Sequence, residues 1–533
     1  MKATTLFHAS ILLASTLLTI SCASNEAVQD EKQDNGNNAP AGSTMFSGDT
    51  HPSTRTSIVD HIKDGGAKVN WSTTDKIWAK DNTNTWHESG TASFHELPNK
   101  SKAMFALNGT YSNATHEVVY TNIPITGTPQ VEIKATQTQT TPNNFDHAGA
   151  SGDCGVATAK GSAAGYGFTL SHKASYICLI PRSSNEFVHR SKLIKIEIES
   201  DNNIAGIYDI ASDGTLTLAS GGSKTIMLTT GGSTGFDLTN PAHDLDKNAA
   251  YAVIAPGNHT LRIRYWLKND VDGIDPLGNL ASIEGTVTKY VTMTFEAGKI
   301  HDITANLNPK NYPGNNYYMW DAQENYWFGH EWNTADPWQP TVDNAQNSNY
   351  PKSKATDPLR WHNDVPASGF VSAQTALFKT LPNTNELAWY VVKGDPRWDS
   401  NELWTTFGHL YKGGMWFKKK AQIAKENGNI PVADLANAAP NGQDLRTGGS
   451  SKNQSLVPGL PSPSKMGNYF YLPALGRYAG SYFQHFNGTW FSRGSYWSST
   501  TNSSGHSLLF QNGYAGVNYN WADGVACPVL PFE

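Results

Sequence analysis

The chain has 533 residues, enough for three or four domains of ordinary size. Charged residues make up only 16%, against about 25% in a typical soluble protein, and 47 glycines and 27 prolines give a turn-rich, all-β, exported composition. A hydrophobic content of 38% excludes wholesale disorder, and a formal charge of −6 leaves no basic footprint for nucleic acid, which is excluded as a partner.

In chain order, residues 1–21 read as a secretion signal, with Lys2 in the charged region and an apolar run from Ala9 to Ile20 too short to span a bilayer. The run ends Leu18-Thr19-Ile20-Ser21-Cys22, which resembles a bacterial lipobox; the resemblance implies a lipid on Cys22 and attachment to the membrane through it. The alternative is an ordinary signal cleaved near Ala23. Residues 22–50 form a polar tether. The other cysteines are Cys154, Cys178 and Cys527. Cys154 with Cys178 is the one candidate disulfide, but Cys178 sits inside an apolar strand, which favours a buried free thiol. No CxxC or Cys/His cluster implies a metal, and no cofactor is expected.

From 55 to about 308 the pattern has a two-residue period. Ile194, Ile196 and Ile198 alternate with charge, Tyr251–Ile254 is a buried run stopped by Pro256-Gly257, and 261–267 alternates again. Antiparallel sandwiches are expected, with a soft boundary between 165 and 190. Several strings here resemble the fimbrillin family of Bacteroidales surface lipoproteins: Thr54-Arg55-Thr56, Val69-Asn70-Trp71 with Thr74-Asp75-Lys76-Ile77, Phe168 to Ala174, Ile254-Ala255-Pro256-Gly257 and Ala297-Gly298-Lys299. The resemblance implies two tandem transthyretin-like β-sandwiches, 51–180 and 181–310. In them Trp71 and Ile77 would be core, and Gly257 and Gly298 turns. It also implies proteolytic processing, with Arg55 as the candidate cleavage point. Other pilus subunits would then join by β-strand addition.

After Pro309 the texture changes, and twelve of the 16 tryptophans follow it. Asn383-Thr384-Asn385-Glu386 is a capping box for a helix through Val392, closed by Gly394. Asp399-Ser400-Asn401-Glu402 opens a second expected helix with Leu403, Trp404, Phe407 and Leu410 on one face, stopped by Gly413-Gly414. A third runs from Met415 to Lys425, and short strands close the chain. The strings 381–390, 393–399, 403–416, 471–476 and 496–500 resemble a C-type-lectin-like domain, which implies an α+β unit over 311–533. Cys527 stands where that family carries an arginine.

Enzyme signals are poor. Gly231-Gly232-Ser233-Thr234-Gly235 has the G-x-S-x-G pattern but lies among strands rather than between a strand and a helix. Trp361-His362-Asn363-Asp364 is a weak match to a calcium–sugar motif and lies far upstream of where that motif belongs. No catalytic residue is assigned. What remains is the aromatic and amide run 511–523, in which Asn512, Tyr514, Asn518, Tyr519, Asn520, Trp521 and Asp523 have the composition of a binding loop; the alternative is a wet edge strand. The expectation is a mainly β protein at the outer membrane, lipid-anchored and surface-exposed, or on a pilus. It would act as an adhesin or as a pilus tip or accessory subunit for an unknown glycan or protein ligand. A structural anchor without external ligand is the other reading.

Overall fold

The computed structural model describes residues 40, 42–50, 57–95, 100–275, 279–343, 345–364, 369–487, 489–502, 506–519 and 524–532. It is mainly β, and among the described residues no helix is long and apolar enough to cross a membrane. Its buried side chains form separate cores, of which the first two interleave along the chain.

The first core lies under a seven-stranded sheet running from Trp86–Glu88 at one edge to Lys102–Leu107 at the other. Trp71 and Ile77, which lie just outside its strands, are fully buried in it, as expected. The N-terminal strand Thr44–Thr50 is inserted next to the Lys102–Leu107 edge. It runs antiparallel to that edge strand and parallel to Gly165–His172 on its other side. Phe46 enters the core from this strand and stacks on Tyr166 at 4.9 Å.

The second core joins the three-stranded sheet Ala250–Ile254, Ser175–Arg182 and Ile300–Asn306 to a longer sheet containing Ser191–Ser200 and the hairpin Gly257–Ile274/Leu280–Phe295. Gln130–Ile133 and Thr136–Gln139, which lie within 51–180, pair with strands of this second unit. The expected division at 180/181 runs through Ser175–Arg182. In Ser191–Ser200 a bulge between Leu193 and Lys195 resets the alternation, so Leu193, Ile196 and Ile198 point inward and Ile194 is only half-buried. Cys154 and Cys178 are both buried, but no disulfide joins them. Cys178 instead stands in register with Asp302 on the neighbouring strand, and burial pushes the Cys154 thiol well above its ordinary range.

The third unit opens at Tyr312. The helix Thr384–Lys393 forms as expected: Asn383 accepts from the Glu386 amide, Glu386 caps back, and Gly394 closes it. The second expected helix does not form. Arg397–Thr406 and His409–Lys418 are a β-hairpin, and the third helix shrinks to Lys420–Glu426. Phe407 and Gly408, at φ 51° and 74°, make the two-residue turn that hairpin twist favours. The Asp399 carboxylate caps no helix; it accepts from the Asn401 amide in a local turn and from Arg264 of the second unit. This hairpin extends the sheet of the second unit through the bridge Thr286↔Glu402.

Candidate functional site

The alternation at 261–267 buries Leu261, Ile263, Tyr265 and Leu267, but its supposedly wet residues Arg262 and Arg264 are buried as well. The third unit covers them. Arg262 pairs with Glu199 and donates to the Pro461 carbonyl at 2.5 Å. Beside Arg264 the Glu402 carboxylate accepts from Thr286 Oγ1 at 3.0 Å and from the Thr288 amide and hydroxyl at 3.1 and 2.5 Å. Burial, with the nearby Asp399 charge, pushes the Glu402 carboxyl up to about 7.

At one edge of this junction lies a cleft of about 440 Å³, walled by the long hairpin on one side and the short hairpin on the other. Trp398 supplies an aromatic face, and Asn401, Ser282 and Asn512 bring amide and hydroxyl groups to the rim. Lys412 donates to the Glu284 carbonyl at 2.7 Å; burial draws its ammonium below the ordinary range, against the pull of the Glu284 carboxylate. His485 forms the floor, and burial lowers its imidazole to about 3, so the ring is neutral. One aromatic face beside amide and hydroxyl groups, with the Lys412 ammonium and the Asp275 and Glu284 carboxylates in the lining, suits a polyhydroxylated or peptidic ligand held by stacking and hydrogen bonds. A larger cleft, about 750 Å³, lies between the first two units. Its charges are spent internally, since Lys80 pairs with Glu117 at 3.3 Å and sits 5.5 Å over the Trp86 ring.

Of the expected binding residues whose side chains are described, Asn512 reaches the junction cleft and Tyr514 does not. Tyr514 begins the strand Tyr514–Tyr519, which pairs on both sides and turns Ala515 and Val517 into the core. Asn518 and Tyr519 sit at the end of that strand, opposite Ser507 and His506. Asn520, Trp521 and Asp523 lie outside the described residues, as do Cys22 and Arg55. Trp398, Asn401 and Lys412 were missed: the expected helix from Asp399 to Gly413 covered Asn401 and Lys412, and no local pattern marks any of the three as facing another hairpin. The Gly231–Gly235 segment is a turn between the strands Thr225–Thr230 and Phe236–Asp237.

No protein-family model matches the chain, and no curated protein does. Among solved structures it is similar to a candidate cell adhesion protein from Bacteroides ovatus, at 11% identity over 50% of this chain and 91% of that chain, TM-score 0.30. A fimbrial protein from the same species is 11% identical over 60% of this chain and 59% of that one, TM-score 0.23. The fimbrial anchor protein Mfa2 from Porphyromonas gingivalis is 10% identical over 42% and 78%, TM-score 0.21. At scores this low the likeness stands as a resemblance only.

Proposed function

We propose that this chain is a fimbrillin-type surface adhesin or pilus tip subunit, lipid-anchored at Cys22, that takes up a partner's strand in its first unit and binds a ligand through a lectin-like third unit. The reading is carried by the place of the N-terminal strand. Thr44–Thr50 lies between two other strands of its sheet and ends five residues before Arg55. A trypsin-like cut after Arg55 would leave this strand held by hydrogen bonds and Phe46 alone. Its departure would open a groove between Lys102–Leu107 and Gly165–His172 for a partner strand. The Trp398–Asn512 cleft is the ligand site in this reading.

The ligand arm is tested with the whole chain from Ala23 onward on glycan and matrix-protein arrays. Binding reduced at least tenfold by Trp398→Ala and by Asn512→Ala supports the cleft. Asn512 is exposed, so its loss leaves the fold intact. No binding, with the protein recovered at one end of native pili, replaces the adhesin with a structural anchor.

A further inference from the structure

Three strands remote in sequence bring one ligand atom each to a single buried point. The three-stranded sheet of the second unit places Tyr251, Cys178 and Asp302 in one row, because Cys178 is registered with Tyr251 on one side and with Asp302 on the other. The hairpin Ser57–Ile62/Gly66–Asn70 lies against this row. Its Asp64 amide donates to Asp302 Oδ2 at 2.7 Å, and His61 is directed at the same carboxylate. A ring nitrogen of His61, Cys178 Sγ and a carboxylate oxygen of Asp302 all lie within 4.8 Å of one another. The His61 and Asp302 side chains are 1% and 5% exposed, and Cys178 is fully buried.

Hydrogen bonding fixes the His61 ring. Asn143 donates its Nδ2 to Asp246, which leaves its Oδ1 to accept the Tyr251 hydroxyl proton at 2.7 Å. The Tyr251 oxygen can then only accept from His61, whose Nδ1 lies 2.9 Å away and therefore carries the proton. In the neutral ring Nε2 then keeps its lone pair; it faces Asp302 Oδ1 at 3.4 Å, and neither atom has a hydrogen-bond partner among the described residues. Two buried acceptors turned on each other are costly unless something positive lies between them.

We propose that His61 Nε2, Cys178 Sγ and Asp302 bind a zinc ion that clamps the 57–70 hairpin to the second unit. A nitrogen, a sulfur and a carboxylate oxygen form a donor set suited to this borderline-soft ion and poor for calcium or magnesium. Bonds of about 2.0–2.3 Å in a tetrahedron put ligand atoms roughly 3.3–3.8 Å apart, a range that includes the observed His61–Asp302 spacing. Tyr251 is the outer partner that orients the imidazole. Binding releases the Cys178 thiol proton to solvent, and a fourth position is left for another donor.

The test uses the untagged chain from Ala23 onward, loaded with zinc and dialysed against zinc-free buffer. Metal analysis should find one zinc per chain, and chelation should lower Tm. Cobalt substitution should give a thiolate-to-cobalt charge-transfer band that survives in the Cys154→Ser/Cys527→Ser variant, where Cys178 is the only thiol. His61→Ala should weaken zinc binding by more than about 100-fold. A folded wild-type chain that retains no stoichiometric zinc overturns the proposal. So does a cobalt spectrum without the sulfur band, and the contact is then an imidazolium–carboxylate pair.

Discussion

Arg264 donates from Nη2 to Asp399 Oδ1 at 2.7 Å, tying the long hairpin of the second unit to the short hairpin of the third. The same nitrogen donates to Thr286 Oγ1 at 2.8 Å, and the Thr286 hydroxyl in turn donates a hydrogen bond to Glu402. The side chains of Arg264 and Asp399 are 7% and 1% exposed. Removing one partner strands the other charge away from water, which typically costs about 3–5 kcal/mol. Asp399→Ala should therefore lower unfolding stability by that order. The double variant Arg264→Met/Asp399→Leu should recover most of the loss, as read in denaturant titrations.

Glu402 makes the junction sensitive to pH. Its carboxyl titrates near 7 in the folded chain and near the ordinary value of 4.5 when unfolded. Below about pH 4.5 both states hold the proton and there is no penalty. As pH rises towards 7 the unfolded chain ionises first and the native state loses ground, on the order of 1–3 kcal/mol. Glu402→Gln should remove this loss. Its Tm should match wild type at pH 4 and exceed it at pH 8 in thermal scans at both values.

Two glycines of the short hairpin should respond differently to alanine. Gly408 adopts φ 74°, and a Cβ there would meet only the Trp332 ring at an ordinary 3.5 Å, so Gly408→Ala should cost about 1 kcal/mol of backbone strain. Gly414 has ordinary backbone angles, but a Cβ there would stand 2.4 Å from the Leu472 carbonyl oxygen. Gly414→Ala must push apart His409–Lys418 and Tyr469–Pro473, and it should destabilise more than Gly408→Ala in the same unfolding assay.

Elements governed by neighbours in sequence were legible in the sequence. The capping box at Asn383 and Glu386 specifies its helix, and the run at 250–254 its buried strand. The failures come from remote partners. Asp399-Ser400-Asn401-Glu402 has the letters of a helix start, but Arg264 and Thr288 take both carboxylates and a Phe407-Gly408 turn folds the chain back. Alternation gave Arg262 and Arg264 to solvent because no local pattern announces that another unit covers that face. The candidate site follows the same rule. Asn512 was found through the composition of its loop, whereas Trp398 and Lys412 become rim residues only once two hairpins meet. His61, Cys178 and Asp302 share no local spacing and come together through sheet register alone.

The N-terminal strand carries the central claim, and its side chains set what a replacement must look like. Phe46 fills an aromatic pocket formed with Tyr111 and Tyr166, at 5.1 and 4.9 Å. A Cβ at Gly48 would stand 2.5 Å from the Phe168 ring, so a large residue followed two positions later by glycine is required. The most direct measurement is native intact-mass spectrometry of the chain from Ala23 after a trypsin-like protease, with a labelled Thr44–Thr50 peptide added. The expected result is a new N-terminus at Thr56, absent in Arg55→Ala, and one peptide bound per cleaved chain, with no uptake when phenylalanine in the peptide is replaced by alanine. A chain that resists the cut at Arg55, or that is cut and takes up both peptides or neither, would contradict it.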